Sequence, residues 1–158
     1  MAKKIQHIKK LHHKYKYKGK NIRAEMEIDL GRFEGQYSKA QYALDSMVMT
    51  DMVPFMPMST GQFINVTRAM SASIAGSGKV IAAAPPFGRF LYNGKVMVGI
   101  DTRSAWAKKG EKKVVTDNNL DYFRGKNPRA QSHWFDPAKK ENQKKWVRQT
   151  RKIAGGGK

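Results

Sequence analysis

An α+β fold is predicted for this sequence: an antiparallel β-sheet with an early amphipathic helix and a C-terminal helix packed on it, preceded by a basic N-terminal arm. Three observations lead there. Residues 22–30 alternate apolar and charged side chains without a break. From Leu30 the apolar period changes to that of a helix. Near the C-terminus, Asp136-Pro137 opens a helical pattern that three consecutive glycines close.

In the alternating run, Ile22, Ala24, Met26, Ile28 and Leu30 are separated by Arg23, Glu25, Glu27 and Asp29. A two-residue period of this kind describes a strand with one buried and one solvated face. Leu30, Phe33, Tyr37, Ala40, Leu44 and Met47 then follow spacings of 3, 4, 3, 4 and 3. That stripe predicts a helix from about 31 to 51, which Pro54 and Pro57 stop. Residues 59–71 begin with the capping types Ser59 and Thr60 and are expected to form a short helix or turn leading into a strand. Two hairpins are expected next. One joins 71–75 to 80–84 across Gly76-Ser77-Gly78-Lys79, and the other joins 87–92 to 95–100 across Asn93-Gly94. Residues 101–130 are polar, basic and rich in turn formers, so a long loop is expected there. Asp136 as N-cap and Pro137 at the first helical position start the last helix, which runs to about Ile153. The chain thus divides into an arm at 1–20, one α+β domain at 21–154, and a glycine-rich tail at 155–158.

Charge separates these parts. The 158 residues include 31 lysines and arginines against 12 acids, a formal net charge of +19. Residues 1–20 hold eight lysines and no acid, and residues 137–158 hold eight bases and one acid. Residues 21–100 are nearly balanced, with seven bases and six acids. A near-neutral body with basic ends is suited to an acidic partner, either nucleic acid or an acidic protein surface. Lys9, Lys10, Lys14, Tyr15, Tyr17 and Lys18 are the candidate contacts of the arm, which is expected to order only against that partner. No apolar run reaches the ~18–20 residues that span a bilayer, and no secretory signal pattern is visible. The absence of cysteine excludes disulfides, thiolate zinc sites and thiol catalysis.

No catalytic constellation is convincing. Gly76-Ser77-Gly78-Lys79 resembles part of a phosphate-binding loop, but Ser73 stands where that pattern needs glycine and Val80 where it needs Ser or Thr. His7, His12 and His13 lie among lysines that repel a divalent cation. Ser132, His133 and Asp136 are close together but lack a nucleophile elbow and a glycine-rich oxyanion loop. No metal, cofactor, membrane or small-molecule substrate is expected. Basic-aromatic mixtures around Tyr15, Tyr17, Trp106, Tyr122 and Phe123 are compatible with base stacking, but no nucleic-acid-binding motif frames them. Met47, Met49, Met52, Met56 and Met58 fall close together, interleaved with Val48, Val53 and Phe55. They read either as a core helix end or as a deformable apolar surface that packs on another subunit. Trp134, Phe135 and Trp146 read as anchors of the C-terminal helix on the sheet.

Three stretches carry a resemblance to a known family. They are Val53-Pro54-Phe55-Met56-Pro57-Met58-Ser59-Thr60-Gly61-Gln62-Phe63, Pro85-Pro86-Phe87-Gly88-Arg89-Phe90-Leu91-Tyr92-Asn93-Gly94-Lys95 and Ala130-Gln131-Ser132-His133-Trp134-Phe135-Asp136-Pro137-Ala138-Lys139. In this order the chain resembles the minor capsid proteins, or head–tail connector (neck) proteins, of long-tailed bacteriophages. The first stretch is similar to a family motif with proline, Ser/Asp-Thr-Gly and a hydrophobic residue. The second is similar to a proline–aromatic–small–Arg–aromatic strand ending in a glycine turn, and the third to a small residue, Trp-Phe and an amphipathic helix. The resemblance marks Pro57, Thr60, Gly61, Arg89, Tyr92, Gly94, Trp134, Phe135 and Trp146 as structural positions. The basic arm and the polar segment near 101–129 depart from the family pattern.

The resemblance implies a non-enzymatic structural protein of the virion, assembled in the host cytoplasm. It would form a homo-oligomeric ring, six- or twelvefold, between the portal-side connector and the tail, as a stopper, a neck ring or a tail terminator. Double-stranded DNA would pass through the central channel. The alternative suggested by charge and size is a basic nucleic-acid-binding protein of ribosomal or nucleoid type. A ring of such cationic subunits repels itself, so the arm and the helix at 137–153 are expected to meet acidic surfaces of adjoining rings, with only unspecific contact to DNA.

Overall fold

The computed structural model describes residues 12–18, 23–29 and 31–155, with side chains from 33 to 155. Its order is β1 (His12–Lys18), β2 (Arg23–Asp29), α1 (Gly31–Met52), a 3₁₀ turn (Val53–Phe55), α2 (Gln62–Ser73), α3 (Gly88–Asn93), β3 (Lys95–Gly99), β4 (Lys113–Asn119) and α4 (Phe135–Ile153). The fold is α+β, as expected, but its sheet is divided. β1 pairs with β2 and β3 with β4, both antiparallel, as two separate two-stranded sheets.

The C-terminal helix packs on α1, not on a sheet. The two helices run antiparallel: Trp146 Nε1 donates to Asp51 Oδ2 at 2.6 Å, while Gly155 lies against Gln36. Lys145 Nζ reaches the same Asp51 carboxylate at 2.7 Å. The core forms at the end of α1 that meets the 3₁₀ turn. Val48, Met49, Met52, Phe55, Met56, Ile64, Trp134, Ala138 and Trp146 make one buried cluster there. The expected stripe on α1 is therefore occupied unevenly. Ala40 is buried and Leu44 and Met47 are half-buried, whereas Phe33 and Tyr37, a turn or two from the helix start, are exposed.

α4 begins slightly before the expected cap. Trp134 is its N-cap residue, no side chain caps it, and Asp136 lies in the first turn. Gly155, with φ +86°, ends it in the left-handed conformation that glycine adopts without strain.

Three expectations about the middle of the chain are corrected. The hairpin over 71–84 does not form, because its backbone groups find side-chain partners. Thr67, fully buried, accepts from the Ala84 N–H at 3.1 Å, Ser71 Oγ accepts from Ile81 N–H at 3.2 Å, and Ala82 C=O accepts from Trp134 Nε1 at 2.9 Å. Residues 74–87 are thereby held on α2 and Trp134 as an irregular segment. The second expected hairpin is also absent, since its first arm is α3. Gly94 has φ +69° and donates to Phe90 C=O at 2.9 Å, closing that helix. The strand that does pair with β3 lies in the expected long loop. Met97 stands opposite Val115 and Gly99 opposite Lys113, with an irregularity between Lys95 and Met97.

The N-terminal strand is found at Arg23–Asp29, with Ile22 and Leu30 outside the described residues. The arm is not wholly unpaired, because residues 12–18 form β1. Its register sets Lys14 opposite Glu27 and Lys16 opposite Glu25. Lys14, Tyr15, Tyr17 and Lys18 are thus strand positions, whereas Lys9 and Lys10 lie outside the described residues.

Candidate subunit-contact surfaces

The three stretches that carry the family resemblance meet around one side chain. Trp134 is fully buried. Its ring stands edge-on to Tyr92 at 4.8 Å and to Phe63 at 5.9 Å, and its Nε1 is bonded to Ala82. His133 N–H donates to Tyr92 C=O at 2.9 Å, and Gln131 N–H to Phe55 C=O at 3.1 Å. Gly94 is required for its φ and for its neighbours, since a Cβ there would lie 2.8 Å from Ser132 Cβ and 2.9 Å from the Tyr122 hydroxyl. That hydroxyl donates to Leu91 C=O at 2.5 Å, and burial pushes its pKa up. Tyr92 is raised as well, by burial and then by the Asp136 charge. Both phenols therefore stay protonated at neutral pH.

The other marked positions have distinct tasks. Gly61, with φ +87°, is the N-cap of α2, and Thr60 Oγ1 accepts from the Gln62 N–H at 3.3 Å. Pro57 lines a surface cleft. Phe135 stacks on Trp146 at 6.4 Å. Arg89 is exposed, with its guanidinium 5.7 Å from the Phe90 ring centre.

The methionine cluster resolves in favour of the core. Met49, Met52 and Met56 are buried and Met47 and Met58 are packed against them. The candidacy of Met49, Met52 and Met56 as an exposed ring interface is corrected on that ground, since they are buried within one chain, whereas Met47 and Met58 are half-buried.

Gly76-Ser77-Gly78 forms neither the expected hairpin turn nor an open phosphate cradle. Gly76 and Gly78 both have positive φ. Their N–H groups donate to Asp45 Oδ2 at 2.8 and 3.1 Å. Asp45, buried on α1 and bonded by Gln41 at 2.7 Å, thus supplies the anion from within the chain. Ser132, His133 and Asp136 do not form a relay, because His133 is exposed and rests on Tyr92 at 5.2 Å. Among the described residues no group of three His, Asp or Glu side chains comes together as a metal site, and no helix is long and apolar enough to cross a membrane.

A more unusual construction lies between β3 and β4. The Glu111 carboxylate folds back into the connecting loop and accepts from the N–H groups of Thr102 at 2.8 Å, Lys108 at 2.7 Å and Asp101 at 2.9 Å. The Thr102 hydroxyl donates to it as well, at 2.9 Å. These donors, the Thr102 N–H foremost, outweigh desolvation and hold its pKa at about 2. Gly99 leaves the necessary space, since a Cβ there would lie 2.1 Å from Glu111 Oε1. The loop so organised presents Trp106, which is 87% exposed, among the exposed cations Arg103, Lys108, Lys109 and Lys112.

A folded-state pKa below the unfolded one means that the Glu111 contribution is fully present above the ordinary glutamate value, about 4.3. It is lost as pH falls towards about 2. Glu111→Gln is expected to loosen the loop at neutral pH, with hydrogen exchange at the Asp101, Thr102 and Lys108 amides faster by tenfold or more, on the order of one charge-assisted bond. Unchanged exchange at these amides would refute this role.

At the other end of the β3–β4 hairpin is a cleft of about 250 Å³ whose lining includes Met58, Phe63, Leu91, Asp121 and Tyr122. A second, shallower cleft of about 520 Å³ is lined by Pro85, Pro86, Phe90 and Met97 and flanked by Arg89 and Lys113. On α4, Lys140, Lys144, Arg148 and Arg151 are all exposed, and their helical spacing places them on one solvent-facing stripe.

Asp45, Asp51 and Glu111 are the organising residues that sequence reasoning missed. Each acts on groups distant in the chain or across a loop, and an isolated acid in a sequence carries no sign of that. Comparison with protein-family models, with curated proteins and with solved structures finds no match to this chain.

Proposed function

We propose that this chain is a structural virion protein of the bacteriophage head–tail junction, assembling as a ring around the DNA channel and joining the portal-side connector to the tail. The observation that carries the reading is the convergence on Trp134. The stretches resembling the neck-protein motifs begin at residues 53, 85 and 130. Phe55, Phe63, Tyr92 and Gly94 from the first two pack or bond to residues 131–134 of the third. This packing gives the three stretches one shared structural task, as the resemblance requires of them.

The remaining features suit that role. Strand β4 stands in solvent, with Val114 and Val115 exposed along it, and an exposed strand edge is a ready contact for another chain. The stripe on α4 suits docking on acidic surfaces of neighbouring rings. Its charge would also hold duplex DNA weakly, through counterion release and without sequence preference.

The test is the mass and shape of the purified full chain. Light scattering is expected to give a closed oligomer of six or twelve subunits, and electron microscopy a ring with a central channel. DNA binding is expected to weaken steeply with salt. A monomer at every concentration, combined with sequence-selective nucleic-acid binding near physiological salt, would overturn the proposal in favour of a nucleic-acid-binding protein.

A further inference from the structure

We infer that Trp106 of one subunit inserts into the cleft between Met58, Phe63, Leu91 and Tyr122 of the next, as the head-to-tail contact that builds the oligomer. The inference rests on the ring reading and specifies its interface.

Four observations support it. First, the loop is prepared for binding. An 87% exposed indole stands on a loop that the Glu111 carboxylate ties down through three backbone N–H groups. Ordering is largely complete before contact, so little entropy is lost on association. Tryptophan is also among the side chains enriched as interface anchors.

Second, the cleft suits a side chain in size and lining. At about 250 Å³ it is below the ~300–1,000 Å³ usual for small-molecule pockets. Its floor is formed by half-buried Met58, Phe63 and Leu91, and methionine adapts readily to an aromatic ring.

Third, charge distinguishes the two clefts. Trp106 arrives with Arg103, Lys108, Lys109 and Lys112 around it. The cleft beside Tyr122 carries exposed Asp121 at its edge, whereas the larger one carries Arg89 and Lys113. The cationic loop is attracted to the first and repelled by the second.

Fourth, one chain cannot satisfy itself. Gly99 pairs with Lys113 at the loop end of the hairpin, and Lys95 with Asn119 at the cleft end. The strand between them separates knob from hole by roughly 15 Å. The contact must therefore be made between copies, with a different patch from each. Such a heterologous contact generates a ring when its rotation closes.

Two exposed substitutions and a mixing experiment test this on the full chain. Trp106→Ala removes the knob, and Ser59→Trp obstructs the mouth of the cleft. Asp121→Arg is a second cleft variant in case Ser59→Trp fails to fold, as judged by its thermal melt. Each variant alone is expected to weaken association by roughly 30-fold or more and to run as a monomer by light scattering. A one-to-one mixture of a knob variant with a cleft variant is expected to give dimers and nothing larger, because only one intact knob and one intact cleft remain per pair. Variants that keep the wild-type oligomer overturn the contact while leaving the ring reading in place. Monomeric variants whose mixture stays monomeric overturn this pairing of knob and cleft. A wild-type chain that is monomeric at all concentrations overturns the ring reading and the contact with it.

Discussion

Trp134→Ala is expected to lower the stability of the fold by about 3–5 kcal/mol. The side chain is fully buried and lies edge-on to both Tyr92 and Phe63. Its removal leaves a cavity between α2, the segment before α3 and the start of α4, and strands the Ala82 carbonyl that its indole N–H now satisfies. For a domain of this size the melting temperature should fall by roughly 10 °C. Trp134→Phe separates the contributions, because it keeps an aromatic ring and loses the hydrogen bond. Urea unfolding of both variants is the measurement. A loss below about 1 kcal/mol for the alanine variant would show that the three motif stretches do not depend on this residue.

Met49→Asp combined with Met52→Asp is expected to abolish folding. Met49 is 5% and Met52 0% exposed, and both lie in the cluster with Phe55, Trp134 and Trp146. Transfer of two carboxylates into that cluster without partners costs several kcal/mol each. Together they approach or exceed the roughly 5–15 kcal/mol that holds an ordinary domain folded. The double variant should therefore be insoluble, or soluble only as unfolded chain by circular dichroism. A folded, soluble monomer would mean that these methionines cover a subunit interface after all. Trp106→Ala is the informative contrast, since it removes an aromatic from the surface and should leave the thermal melt unchanged at protein concentrations low enough for the wild-type chain to be dissociated.

The elements legible in the sequence are those whose pattern is complete within one segment. The alternation at 22–30 contains its own strand, and β2 is found there. The helix of about 31–51 is observed at Gly31–Met52, because its periodicity and the stop at Pro54 are both local. The helix ending near Ile153 is legible for the same reason, with the following glycine as its terminator. The anchoring role of Trp134 was also legible, as a large aromatic before an amphipathic helix. Its partner was not: it packs among α2, α3 and the segment between them, and not on a sheet.

The errors share one physical cause. Asn93-Gly94 supplies a residue that tolerates positive φ, and both a tight hairpin and a helix C-terminus need one. The choice fell to the helix because the N–H groups of Gly88, Phe90 and Leu91 find carbonyls one turn back, at Ala84 and Phe87, and Gly94 fits against Ser132 and Tyr122. Gly76 and Gly78 are equally ambiguous until Asp45, more than thirty residues away, accepts both N–H groups. β4 has few buried side chains, so its composition resembles a loop, and only pairing with β3 makes it a strand. The candidate contact is divided in the same way: Trp106 is visible in the sequence, but the loop that carries it is tied by Glu111, and the cleft is assembled from three separated segments.

By itself, the sequence determined the α+β class, the two long helices, the β2 strand, the concentration of charge at the ends and the importance of the residues around Trp134. These follow from periodicity, charge and side-chain size, which are properties of a segment. Tertiary structure alone decided that α4 packs on α1, that Met49, Met52 and Met56 face inward, that residues 71–84 abandon a hairpin, and that an indole and an apolar cleft stand at opposite ends of one β-ribbon. Each of those outcomes depends on which distant group satisfies a hydrogen-bond donor or covers an apolar face at the lowest free energy, and that competition is settled only when the chain has closed on itself.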